Sequence, residues 1–138
     1  MNDPNLRHGT LEWQGDLRFT GGGPNGPKIT LDGDGVAGPG PVVTLLLAAA
    51  GCSGADVVGI LAKQQVTLRS FTIEVTGRRA EDYPKRIKEL TLIFRLAGDG
   101  LTEAKARRAV DLSIEKYCSV MLSLNPDIPI RTEIVIEG

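Results

Sequence analysis

Gly40-Pro41-Val42-Val43-Thr44-Leu45-Leu46-Leu47-Ala48-Ala49-Ala50-Gly51-Cys52-Ser53 is the stretch whose reading decides the fold. Pro41 suits the first turn of a helix, where its missing N–H would have no intrahelical partner anyway. From Val42 to about Gln65 the residues are helical in character, first apolar on every side and then amphipathic through Val57, Val58, Ile60 and Leu61. A helix that is apolar all round must be buried all round, so this segment predicts a helix covered on every side. Gly51 and Gly54 flank Cys52 and Ser53. There the backbone is expected to loosen, kink or meet a neighbour closely.

Outward from that helix the periodicity changes to two. On the N-terminal side, Thr10 to Gln14, Leu17 to Thr20 and Lys28 to Asp32 read as short strands, with Gly21 to Pro27 as turn chemistry and Gly33 to Gly40 as a second breaker. On the C-terminal side, Thr67 to Gly77 places Phe71, Ile73 and Val75 on one face, and Arg86 to Leu96 does the same with Leu90, Leu92 and Phe94. Between them, Arg78 to Lys85 is charged, contains Pro84 and reads as an exposed loop. A second helix is expected from about Thr102, its N-cap, to Leu124, with Ala106, Val110, Ile114, Tyr117 and Met121 at helical spacing. Asn125-Pro126 stops it and Arg131 to Glu137 alternates as a last strand. The order β-β-β-α-β-β-α-β predicts an α+β architecture, two helices against antiparallel sheet, in a single domain spanning residues 1–138.

Composition narrows the function. The chain has 138 residues, 41% apolar and 24% charged, with a net charge of -1. Neither disorder nor coiled coil is expected, and the basic excess that a phosphate backbone favours is absent, so no nucleic-acid partner is expected. A single histidine, His8, two cysteines and no CxxC exclude most His- or Cys-built metal sites and a Ser-His-Asp hydrolase. The longest unbroken apolar run, Leu45 to Ala50, is far short of the roughly 20 residues a span needs, so no membrane segment is expected. The N-terminus lacks the apolar core of a signal peptide, and the expectation is a cytoplasmic protein with both thiols reduced at rest. Gly33-Asp34-Gly35-Val36-Ala37-Gly38 matches G-x-G-x-x-G, but its preceding strand alternates, prolines delay the helix and no βαβαβ series follows. It reads as an ordinary loop.

The cysteines carry the remaining chemistry. Cys52 lies among small residues and Cys118 lies in Glu115-Lys116-Tyr117-Cys118-Ser119-Val120. Two readings stand: small buried hydrophobes, or a redox pair whose thiolate needs a nearby positive group. Lys116 reads as a solvent-facing charge.

The run Gly40 to Ser53, followed by Asp56-Val57-Val58, resembles the first cysteine helix of the OsmC/Ohr proteins. Ala109 to Ser113 and Glu115 to Val120 resemble their second, and the element order agrees along nearly the whole chain. The resemblance implies an intertwined homodimer, two central helices wrapped by sheet, with active sites at the subunit interface. It implies a thiol-dependent peroxidase acting on organic hydroperoxides, in oxidative-stress defence. By similarity Cys52 is the peroxidatic thiolate, oxidised to a sulfenic acid. Cys118 resolves it as a disulfide that a dithiol such as a lipoyl group reduces; no cofactor, metal or haem is implied. Family peroxidases pair an arginine with a glutamate near the start of the first helix; here Val42 and Val43 stand in that region. Arg18 is the candidate arginine, with Arg7 behind it, and turnover at neutral pH is expected to be slow. The missing glutamate keeps two rivals open, a binder of an apolar or acyl ligand and a protein-thiol redox regulator. The all-round apolar helix and only six aromatic residues to cover it also point to a second copy of the chain.

Overall fold

Alternation, breakers and caps build the elements in the order expected. The computed structural model describes residues 3–138. Strands β1 (Thr10–Trp13), β2 (Arg18–Gly22) and β3 (Lys28–Asp32) precede helix α1 (Pro41–Lys63). Strands β4 (Thr67–Arg79) and β5 (Ile87–Asp99) follow, then α2 (Glu103–Leu112), a π turn (Ser113–Tyr117), the short α3 (Ser119–Leu122) and β6 (Ile130–Ile136). Two compact units divide the chain, one up to Leu45 and one from Leu46 to Gly138.

In the N-terminal unit, β1, β2 and β3 form an antiparallel meander. Strand β2 runs on to Gly22, two residues into the stretch read as a turn. A Cβ on Gly21 would lie 2.3 Å from the Thr10 carbonyl oxygen, so the glycine that looked like a breaker is what lets β1 approach. The G-x-G-x-x-G stretch is a loop closed on itself. Asp32 accepts hydrogen bonds from the backbone N–H groups of Asp34, Val36 and Ala37 at 2.9, 3.3 and 2.9 Å. Those donors, chiefly Ala37 and Asp34, hold the Asp32 carboxyl below its ordinary range. The carboxylate thus takes the N–H groups that a phosphate would need.

In the C-terminal unit the sheet order is β4-β5-β6. Leu90, Leu92, Phe94 and Leu96 of β5 are fully buried, and Phe94 stacks on Phe71 of β4 with ring centroids 6.3 Å apart. Strands β4 and β5 are antiparallel, but β6 runs parallel to β5, which corrects the expected all-antiparallel sheet. The physical reason is the connection: the helical crossover returns the chain to the end of the sheet where β5 began.

Helix α1 packs on β4 through small residues. A Cβ on Gly54 would meet Ile73 Cδ1 at 3.0 Å, so this glycine marks close approach and α1 remains continuous through it. Its 23 residues reach a mean hydropathy of 1.9 over 18 of them, long and apolar enough to cross a membrane by length and composition. That corrects the expectation from unbroken runs, since Thr44, Ser53 and Asp56 dilute the apolar character without ending it. Here it is a core helix, with Ala49, Ala50, Ser53, Gly54, Val57 and Leu61 buried.

The second cysteine segment departs most from expectation. Thr102 caps α2 as predicted, its hydroxyl accepting from the Lys105 N–H at 3.2 Å. The helix does not continue to Leu124. The Cys118 N–H reaches back five residues to the Ser113 carbonyl at 2.8 Å, and Cys118 itself is extended, with φ -74° and ψ 102°. The π turn widens the helix by one residue, which carries Tyr117 to the surface while Ala106, Val110 and Met121 remain buried.

Candidate functional site

Residues Cys52 and Cys118 come together. The Sγ atoms of both cysteines and a carboxylate oxygen of Asp56 all lie within 4.8 Å of one another. Each arrives from a different local structure. Cys52 and Asp56 are one turn apart on α1, so the i, i+4 spacing puts thiol and carboxylate on one face. Cys118 sits at the junction of the π turn and α3. Its sulfur accepts from the Met121 N–H at 3.4 Å and faces the Ala49 carbonyl at 4.0 Å.

The two thiols differ in exposure. Cys118 is completely buried, whereas Cys52 is half-buried. Burial pushes the Cys118 thiol up from 9.0 to about 11. The Met121 N–H opposes that rise, while Cys52 and the Asp56 charge add to it. At neutral pH Cys118 is therefore a thiol. The arrangement can do what two adjacent thiols of unequal exposure do: react with an oxidant at the open sulfur and close to a disulfide at the other.

A polar chain supports the carboxylate. Ser113 Oγ lies 2.9 Å from Asp56 Oδ2 and 2.9 Å from Ser53 Oγ. A hydroxyl has one proton to give, so Ser113 donates to the carboxylate and receives from Ser53. Both serines are fully buried. Sequence reasoning missed Asp56, Ser53 and Ser113 as site residues. The i+4 spacing from Cys52 could have flagged Asp56; nothing in the sequence flagged Ser113.

Beside this cluster lies a cleft of about 660 Å3 whose lining includes Asp56, Ile60, Lys63, Arg108, Leu112 and Tyr117. Two sulfurs and one carboxylate oxygen are one donor short of the four that a structural zinc takes.

Other expected site residues make local contacts. Arg18, the first residue of β2, donates from Nη2 to the Gln14 carbonyl at 3.1 Å, and its Nη1 lies 4.0 Å from the Asp16 carboxylate. Arg7 donates to the carbonyls of Pro4 and Leu6 at 2.8 and 2.9 Å. Val42 and Val43 occupy the first turn of α1, which carries no acidic residue. Lys116 is exposed, and its Nζ lies over the Tyr117 ring, 5.5 Å from the centroid.

Comparison with known proteins agrees with this architecture. Residues 32–133 match the family described as OsmC-like protein. The chain is 40% identical to Protein YhfA of Escherichia coli K12 over 115 residues, 83% of this chain and 86% of that protein. A crystal structure of a hypothetical protein from Aquifex aeolicus superposes with a TM-score of 0.83 at 29% identity, covering 97% of this chain and 99% of that one. The organic hydroperoxide resistance protein OhrB of Bacillus subtilis shares the fold at a TM-score of 0.62 and 16% identity, covering 94% of this chain and 97% of that one. On this match, and with its paired cysteines on the two helical segments, the chain belongs to the OsmC-like family.

Proposed function

We propose that the chain is a thiol-dependent peroxidase that reduces organic hydroperoxides. The observation that carries the reading is the approach of two unequal thiols, an open Cys52 and a buried Cys118, to within 4.8 Å. The Cys52 thiolate attacks the outer peroxide oxygen; the O–O bond breaks, the alcohol leaves with a proton, and Cys52 holds a sulfenic acid. Cys118 then displaces hydroxide to form the disulfide, and an external dithiol such as a lipoyl group restores both thiols. Arg18 is the proposed partner of the Cys52 thiolate. The whole chain acts as one domain, in the cytoplasm.

A homodimer belongs to the same proposal. Val43, Leu47 and Val58 share one face of α1 and are 49%, 52% and 47% exposed in the single chain. Apolar surface of that kind along a core helix fits an obligate interface. Light scattering at micromolar concentration is expected to give twice the chain mass, and Leu47→Glu to give a monomer.

A peroxide-consumption assay with dihydrolipoamide tests the activity. Wild type is expected to consume cumene hydroperoxide, Cys52→Ser to fall to background, and Cys118→Ser to stop after one equivalent. Equal rates in wild type and Cys52→Ser would sink the reading. The cleft beside Asp56 favours the second reading, a binder of an apolar or acyl ligand. Mass spectrometry of the purified protein with a co-purifying apolar ligand, joined to a silent peroxide assay, would select it.

A further inference from the structure

Disulfide formation at this site poses a proton problem. Cys118 is completely buried and carries its proton at neutral pH, so bulk water is poorly placed to remove it. The hydroxide leaving the Cys52 sulfenic acid needs a proton at the same moment. A carboxylate oxygen of Asp56 lies within 4.8 Å of both sulfurs. The Ser53–Ser113 chain fixes that carboxylate through one oxygen, Oδ2, and Oδ1 has no side-chain hydrogen-bond partner among the described residues.

We propose that Asp56 carries the proton from Cys118 to the departing hydroxide, with Ser113 as the positioning residue that aims it. This inference rests on the peroxidase reading. The Cys118 sulfur attacks the Cys52 sulfur, and the S–S bond forms as the S–O bond breaks. The Cys118 proton passes to the Asp56 carboxylate, which gives a proton to the hydroxide, and water leaves. The organic hydroperoxide that made the sulfenic acid is the oxidant, and the net reaction consumes no further reagent. Proton transfer from a thiol to hydroxide is downhill, so the carboxylate serves as a relay without holding the proton.

Single-turnover oxidation by cumene hydroperoxide, with dimedone trapping and mass spectrometry, separates the two steps. Asp56→Asn keeps the shape and removes the charge. It is expected to form the sulfenic acid at close to the wild-type rate, to form the disulfide about 100-fold more slowly, and to accumulate the dimedone adduct. Ser113→Ala is expected to slow the same step by about 10-fold, the carboxylate being present but no longer aimed. Disulfide formation in Asp56→Asn at the wild-type rate would overturn the proposal. A faster rate would overturn it too, because the carboxylate would then only have been repelling the Cys118 thiolate.

A nitrobenzoate disulfide reagent tests the carboxylate without peroxide. It caps Cys52, and Cys118 then displaces a second coloured thiolate that needs no proton, although Cys118 must still lose its own. Asp56→Asn is expected to slow that second release. Equal second phases overturn the Asp56 assignment, whereas a slowed second phase in a protein silent toward peroxide overturns the peroxidase reading and leaves the carboxylate's role as proton acceptor standing.

Discussion

Cys52 and Cys118 are close neighbours held by opposite means. Cys52 lies within a continuous α-helix, where regular spacing alone brings Asp56 beside it. Cys118 lies where helical geometry fails: a π turn ends, one residue is extended, and a four-residue helix begins. The regular element leaves its sulfur half-buried, and the irregular one buries its sulfur completely. The contrast teaches that exposure here follows from backbone context more than from residue type, since both residues are the same thiol.

Alkylation offers the largest effect with which to break that contrast. With Cys118 held at about 11, about one molecule in ten thousand carries its thiolate at pH 7. Iodoacetamide under native conditions is therefore expected to label Cys52 at least about 100-fold faster, read by peptide mass spectrometry. Labelling of Cys118 is expected to accelerate as pH approaches 11. Preferential labelling of Cys118 at pH 7 would reverse the two roles.

Stability against pH gives a smaller effect on the same residue. An unfolded chain releases the Cys118 proton near 9.0, whereas the folded chain keeps it to about 11. Below 9.0 both states are protonated and the folded state has its full advantage. Between 9.0 and about 11 the unfolded state binds fewer protons, so stability falls as pH rises. Melting temperature is expected to drop over that window in wild type, and to drop less in Cys118→Ser. Parallel curves for the two proteins would show that Cys118 is not held as a thiol.

The smallest effect lies at the start of α2, the regular part of the second segment. Thr102→Ala removes the hydroxyl that accepts from Lys105 and is expected to cost about 1 kcal/mol in urea unfolding. No loss at all would mean that α2 is held by its buried Ala106, Ala109 and Val110 face alone.

How much of this was legible follows from the same contrast. The strands, α1 and the Thr102 cap were readable because period two, period 3.6 and cap chemistry are local. The parallel setting of β6 was not, because it depends on where a crossover returns the chain. Both cysteines were readable as a candidate pair, yet Asp56 was passed over although its spacing from Cys52 is helical. Ser113 was hidden for a deeper reason. Five residues in an α-helix advance about 500°, which puts positions 113 and 118 about 140° apart, and only the π turn changes that phase. The Arg18 assignment rested on resemblance, and the hydrogen bonds of that side chain are explained by Gln14 and the turn at Asp16.

The π turn also bears on how this protein tolerates changes in length. It is a one-residue surplus inside a helical segment, so the position of Cys118 is encoded by a count as well as by identities. Removing any one residue from Ser113–Tyr117 would let the segment relax to ordinary helical pitch with little loss of hydrogen bonding. It would also swing the following cysteine by roughly a quarter of a turn. A single in-frame codon deletion there would therefore leave a folded chain with both thiols present and their partnership dissolved. The same deletion in the exposed loop between β4 and β5 would leave that partnership untouched.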